Sequence, residues 1–162
     1  MKSYSMNEAC KTADLGTEKI VSFLEGIKIT KNVINVEGQR EYQLKDIDLI
    51  WETDSGIKTI EIKVDNYFNT GNYFFETKSN VEKNTPGCFM YTEADYLFYY
   101  FLNVELHVMW VKPARRWFIA NQSRFKTVRT STSVGGGKYH TEGALVKREI
   151  LKNELGVNII KL

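Results

Sequence analysis

Two short segments put carboxylates and an amine into strand-like settings: Asp46-Ile47-Asp48 within LKDIDLIWE, and Glu61-Ile62-Lys63 within IKTIEIKVD. Alternate side chains of a strand share a face. Asp46 and Asp48 therefore fall on one face, and Ile47, Leu49 and Trp51 on the other. In the second segment Thr59, Glu61, Lys63 and Asp65 share a face, opposite Ile60, Ile62 and Val64. Each strand reads as apolar toward the core and charged toward an open side.

Thr53-Asp54-Ser55-Gly56 between the two segments is good turn chemistry. A hairpin closed at Asp54-Ser55 pairs Glu52 with Ile57 and continues so that Asp48 falls opposite Glu61 and Asp46 opposite Lys63. Carboxylates facing one another across a ladder repel. A divalent cation between them removes that repulsion. An adjacent lysine can contact a scissile phosphate or position a water. These are the parts that phosphodiester hydrolysis needs: a metal to activate water and stabilise the leaving oxygen, and a cation beside the developing charge.

The elements that must position these groups follow from periodicity and turn signals. A helix is expected over about residues 15–25, with Thr17 as N-cap and Ile20, Phe23, Leu24 and Ile27 as its apolar stripe. KITKNVINV, the two charged strands and NYFFET read as successive strands. Residues 78–91 read as loop. Thr92 and Asp95 resemble a capping box ahead of a helix through YLFYYF. NVELHVMWV reads as a strand, PARRWFIANQSRF as a helix entered at Pro113, SVGGGKYH as a flexible turn, residues 142–154 as a last helix and VNIIKL as a final strand. The pattern predicts an α/β domain over residues 1–162, built on a single mixed β-sheet flanked by helices.

Asp48 followed by Glu61-Ile62-Lys63 on the adjacent strand, after an N-terminal helix, resembles the PD-(D/E)XK nuclease superfamily over roughly residues 15–111. Ile47 stands where the family name has proline. The resemblance implies a restriction-endonuclease-like core and a metal-dependent deoxyribonuclease, by flavour a phage or mobile-element endonuclease or a junction resolvase. It implies Mg²⁺ or Mn²⁺ held by Asp48 and Glu61, with the Ile62 carbonyl as a further ligand, and Lys63 as the catalytic cation. Resolvase-like members carry a glutamate on the first helix that reaches the metal, which points to Glu18. That residue lies opposite the apolar stripe, which favours a solvated side chain unless the helix exposes that side to the site. If NYFFET pairs back onto the second charged strand, Glu76 faces Glu61. Glu76 is then either a third carboxylate of the site or an exposed strand residue. The rival reading is a non-catalytic nucleic-acid or protein-binding module built on the nuclease fold.

Charge is distributed unevenly. Residues 1–110 hold 11 Lys+Arg against 17 Asp+Glu, and residues 111–162 hold 11 against 3. The basic third suggests a phosphate-facing surface made by Arg115, Arg116, Arg124, Lys126, Arg129 and Lys138, with DNA as the expected partner. Trp117 and Phe125 lie nearby in sequence; Trp117 and Phe118 equally suit a core. His107, inside ELHVMWV, reads as a structural histidine, and His140 stands isolated. Gly135-Gly136-Gly137-Lys138 lacks the Ser/Thr and the strand–loop–helix context of a phosphate loop.

The 162 residues suit one domain, and a hydrophobic content of 43% excludes a disordered chain. No apolar run reaches membrane-spanning length. The segment MKSYSMNEACKTADLG has no apolar stretch of a leader, so a cytoplasmic protein is expected, in host cytoplasm if phage-encoded. Cys10 and Cys88 are too few for a disulfide framework or a four-cysteine metal site. A small nuclease without a separate recognition domain is also a candidate homodimer.

Overall fold

The computed structural model describes residues 3–134 and 137–162, with side chains from residue 10 onward apart from residue 134. Gly135 and Gly136, expected in the flexible turn, lie outside the described residues. The elements form a mixed α/β domain with two sheets rather than the expected one. The larger sheet has six strands in the order β11 (Asn158–Ile160), β8 (Glu105–Trp110), β7 (Tyr96–Phe101), β4 (Gly56–Asp65), β3 (Leu49–Thr53), β2 (Thr30–Asn35). All its pairings are antiparallel except β4 with β7. The smaller sheet has five strands in the order β1 (Ser3–Ser5), β9 (Lys126–Val134), β10 (Gly137–Lys147), β5 (Asn72–Asn80), β6 (Thr85–Pro86). No helix is long and apolar enough to cross a membrane among the described residues.

Alternation along the strands sorts the side chains into two cores. Ile60, Phe98, Tyr100 and Leu106 project to one face of the larger sheet, where Ile20 and Leu24 of α1 (Met6–Glu25) cover them. The helix is longer than its apolar stripe predicts, so Thr17 lies inside it and is no N-cap. Gly16 lets the helix approach: a Cβ there would sit 2.3 Å from a Val64 methyl. Leu97, Tyr99, Phe101 and Met109 project to the other face. There they meet Tyr73 and Phe75 of β5, Ala144 and Val146 of β10, and three helices: α3 (Cys88–Tyr91), α4 (Val111–Asn121) and α5 (Arg148–Leu155). Phe75 stacks on Phe89 at 4.1 Å, and Phe118 meets both rings edge-on. These fully buried rings carry most of the apolar area that this second core removes from water.

Four sequence expectations give way here. YLFYYF is the strand β7 and no helix. Its burial is nearly continuous on both faces, the signature of a strand covered on both sides. The Thr92 hydroxyl does accept from Ala94 N–H at 3.1 Å, but Glu93 and Asp95 N–H groups donate to Lys45 and Thr59 carbonyls and draw the chain into the sheet. Residues 142–147, assigned to the last helix, continue β10, and α5 starts at Arg148. NYFFET does form a strand, but β5 pairs with β10 of the smaller sheet instead of with β4. The Asp46 segment is also shorter as a strand than it reads. A single turn, α2 (Arg40–Gln43), precedes it, and β3 begins only at Leu49.

Candidate active site

The hairpin closes as its turn chemistry requires, with Thr53 paired to Gly56, Glu52 to Ile57 and Leu49 to Ile60. Beyond Leu49 the register slips. The Asp48 N–H donates to the Ile60 carbonyl at 2.9 Å, one residue out of step, so Asp48 does not stand directly opposite Glu61. Ile47 then turns into the second core while Leu49 stays in the first. Asp46 follows in a left-handed conformation, φ 52°, which aspartate tolerates better than most residues. The slip leaves Asp48 Oδ2 free to accept the Ile62 N–H at 2.7 Å. A strand residue's N–H and C=O point to the same edge, so the Ile62 carbonyl also faces past the end of β3.

The charged face of β4 does not look onto solvent. Glu61 is 6% exposed, and it and Lys63 lie on the face that the smaller sheet covers. One oxygen each of Asp46 and Glu61 and the Cys88 Sγ all lie within 4.8 Å of one another. Asp46 Oδ2 and Glu61 Oε2 are buried and make no hydrogen bond. Orphaned carboxylate oxygens of this kind are rare and call for a ligand or a proton. Burial pushes the Asp48 carboxyl up to about 6, partly opposed by its bond from Ile62. Burial also pushes Glu61 well above the usual carboxylate range, and the Asp48 and Asp46 charges add to it. Asp46 is raised as well, again chiefly by burial. For Lys63 burial opposes the charge, but Cys88, Glu76, Glu61 and Asp65 more than offset this and hold the ammonium above its ordinary value.

Neighbouring elements fix the rim. The Tyr91 hydroxyl donates to Asp46 Oδ1 at 3.2 Å, and the Thr92 hydroxyl to the Asp46 carbonyl at 2.6 Å. Arg115 donates to the Phe89 and Thr92 carbonyls at 2.8 and 2.6 Å, so it clamps α3 in place and is not a free phosphate contact. Gly87 permits the approach of this turn to β5, since a Cβ there would lie 2.4 Å from the Glu76 carbonyl oxygen. Half-buried Asp46 and Asp48, with 40%-exposed Tyr91, form the opening to solvent.

The structure thus gathers Asp48, Glu61, Lys63 and the Ile62 backbone, and it brings Glu76 close enough to act on Asp46, Lys63 and Cys88. Glu76 arrives from the other sheet, next to a bulge where Lys78 pairs Glu142 and Glu76 pairs Gly143. Glu18 is exposed on α1 and makes no contact with the cluster. The additional carboxylate is Glu37, whose charge acts on Asp48 and whose Oε1 accepts from Thr17 at 3.1 Å. Cys88 was not legible in advance, because nothing in the loop sequence signals that α3 folds onto β4.

The basic residues form no single ridge. Arg124 pairs with Glu154 at 2.8 Å and Arg129 with Glu142 at 2.8 Å. Arg116, Lys126 and Lys138 are exposed, and their side chains make no hydrogen bond or ion pair among the described residues. Phe118 is core, while the Trp117 indole donates to Glu154. His140 pairs with Glu82 and is not isolated. His107 is buried with both nitrogens engaged, by Tyr73 at 2.6 Å and Glu105 at 3.0 Å. Compared with known proteins, the chain matches no family model, no curated sequence and no solved structure.

Proposed function

We propose that this chain is a metal-dependent nuclease of the PD-(D/E)XK type that hydrolyses phosphodiester bonds in DNA. The observation that carries the reading is the pair of orphaned carboxylate oxygens, Asp46 Oδ2 and Glu61 Oε2, beside Asp48 and a protonated Lys63. The topology supports it: a three-stranded meander behind one helix, then a strand parallel to the one bearing Glu61 and Lys63.

Asp48, Glu61 and Asp46, with the Ile62 carbonyl, supply an oxygen-rich set that suits a divalent cation. A bound Mg²⁺ or Mn²⁺ lowers the pKa of an attacking water and stabilises the leaving oxygen. Asp48 must be ionised to serve, which requires a pH above about 6 unless a cation displaces its proton. The Lys63 ammonium faces the developing negative charge of the phosphate. Tyr91 and Thr92 hold Asp46 in its left-handed conformation at the mouth of the site. Exposed Arg116, Lys126 and Lys138 are cations available to meet the DNA backbone.

The enclosure of Glu61 favours a second reading, in which the same cluster holds a cation without turnover in a binding module. Incubation of the protein with duplex, branched and single-stranded DNA plus Mg²⁺ or Mn²⁺ separates the two. Cleavage that vanishes with EDTA and in Glu61→Gln supports the nuclease. Cation binding without cleavage of any substrate supports the module.

A further inference from the structure

We infer that Cys88 is a metal ligand, so that the cluster takes a sulfur-tolerant transition ion such as Co²⁺ or Zn²⁺ in preference to Mg²⁺. This rests on reading the cluster as a cation site and goes beyond it by naming the class of ion. The Cys88 sulfur lies within 4.8 Å of oxygens from both Asp46 and Glu61. Glu61 is itself nine-tenths buried, and its Oε2 meets no other partner.

The thiol is held there by backbone on both sides. Before it, Gly87 N–H donates to the Thr77 carbonyl at 2.9 Å, in a contact too close for any side chain at that position. After it, Arg115 grips the Phe89 and Thr92 carbonyls. The backbone that carries Cys88 therefore cannot move away without moving both β5 and α4.

Thiolate favours zinc and later transition ions, whereas Mg²⁺ demands an octahedron of oxygens and dehydrates reluctantly. Joined to the oxygens of Asp46, Asp48 and Glu61, the Cys88 thiolate makes a mixed oxygen–sulfur set, which suits zinc or cobalt better than magnesium. On coordination the Sγ–H bond breaks, sulfur keeps the electron pair for the metal, and the proton leaves to solvent.

The test is titration of the purified full chain with Co²⁺, followed by near-ultraviolet and visible absorption. The expected result is a thiolate-to-cobalt charge-transfer band that saturates at one ion per chain. It persists in Cys10→Ser, whose thiol is exposed and elsewhere, and disappears in Cys88→Ser. A second measurement compares ions: Cys88→Ser should narrow the Zn²⁺-over-Mg²⁺ affinity ratio of the wild-type chain by at least about tenfold. Co²⁺ bound without the band, a band that survives Cys88→Ser, or a Zn²⁺-over-Mg²⁺ ratio unchanged in Cys88→Ser would overturn the role of Cys88 and leave the nuclease reading standing. The sulfur band without any DNA cleavage would uphold Cys88 and remove the nuclease. Absence of all cation binding overturns both.

Discussion

Two sets of polar side chains are buried between the same pair of sheets, and they are finished differently. Around His107 every group has a partner: Tyr73 hydroxyl on Nδ1, Glu105 on Nε2, and, one strand over, Tyr99 donating to Asp65 at 2.5 Å while accepting from Phe74 N–H. Around Glu61, the Asp46 and Asp48 carboxyls and the Cys88 thiol crowd together, and Asp46 Oδ2 and Glu61 Oε2 have no partner outside that cluster. A satisfied buried network rigidifies a fold, whereas an unsatisfied one costs stability until something binds. The contrast teaches where to look for function. The histidine, the residue most often suspected of catalysis, belongs to the satisfied set, and the crowded acids are the set proposed above to hold a cation.

The largest expected effect breaks the unsatisfied set. Asp48→Asn, Glu61→Gln and Lys63→Ala should each lower DNA cleavage by about two orders of magnitude or more, the scale of losing one electrostatic stabiliser. Gel assays under single-turnover conditions read this directly. Wild-type rates in all three variants would empty the catalytic assignment.

Stability should move in opposite directions in the two regions. His107→Ala removes a 2%-exposed side chain and strands the Tyr73 hydroxyl, at a cost of about 2–4 kcal/mol. Glu61→Gln should instead stabilise the metal-free protein at neutral pH, because it removes the cost of protonating an acid that burial and its neighbours keep from ionising. Thermal melts in EDTA compare them, and a destabilised Glu61→Gln would show that the cluster is structural after all.

The pH dependence sharpens the same contrast. Asp48 has a raised folded pKa, so its contribution is present at low pH and is lost as pH rises through about 6. Burial lowers the pKa of His107, against the pull of Glu105, so its contribution is present above about 6.5 and is lost as pH falls. In EDTA, Asp48→Asn should therefore remove a fall in stability between pH 3.8 and about 6 and leave the slope above about 6 unchanged. A variant profile parallel to wild type would remove the burial argument.

The smallest effect concerns binding. Neutralising exposed Arg116, Lys126 and Lys138 should weaken DNA affinity and flatten its salt dependence, by roughly one unit of log–log slope for each phosphate that is no longer neutralised. Arg124→Ala should change it less, since Glu154 already engages that guanidinium. Fluorescence anisotropy over a salt series measures both.

The hairpin register, the carboxylate–lysine grouping and α4 were legible because turn chemistry and period-two alternation are local. The bulge at Asp48, the burial of Lys63 and the nearness of Cys88 were not, because each depends on a second sheet whose strands are far apart in sequence. YLFYYF shows why: an all-apolar run carries no period, and only its covering on both faces makes it a strand. Glu76 was found through a pairing that does not exist, and it reaches the cluster from β5 by tertiary packing alone.

The most direct measurement is calorimetric titration of Mn²⁺ into wild-type, Glu61→Gln and His107→Ala proteins at neutral pH. The account expects one ion per chain in wild type, binding weakened at least about tenfold in Glu61→Gln, and binding retained in folded His107→Ala. No ion bound by wild type, or equal affinity in Glu61→Gln, would contradict it.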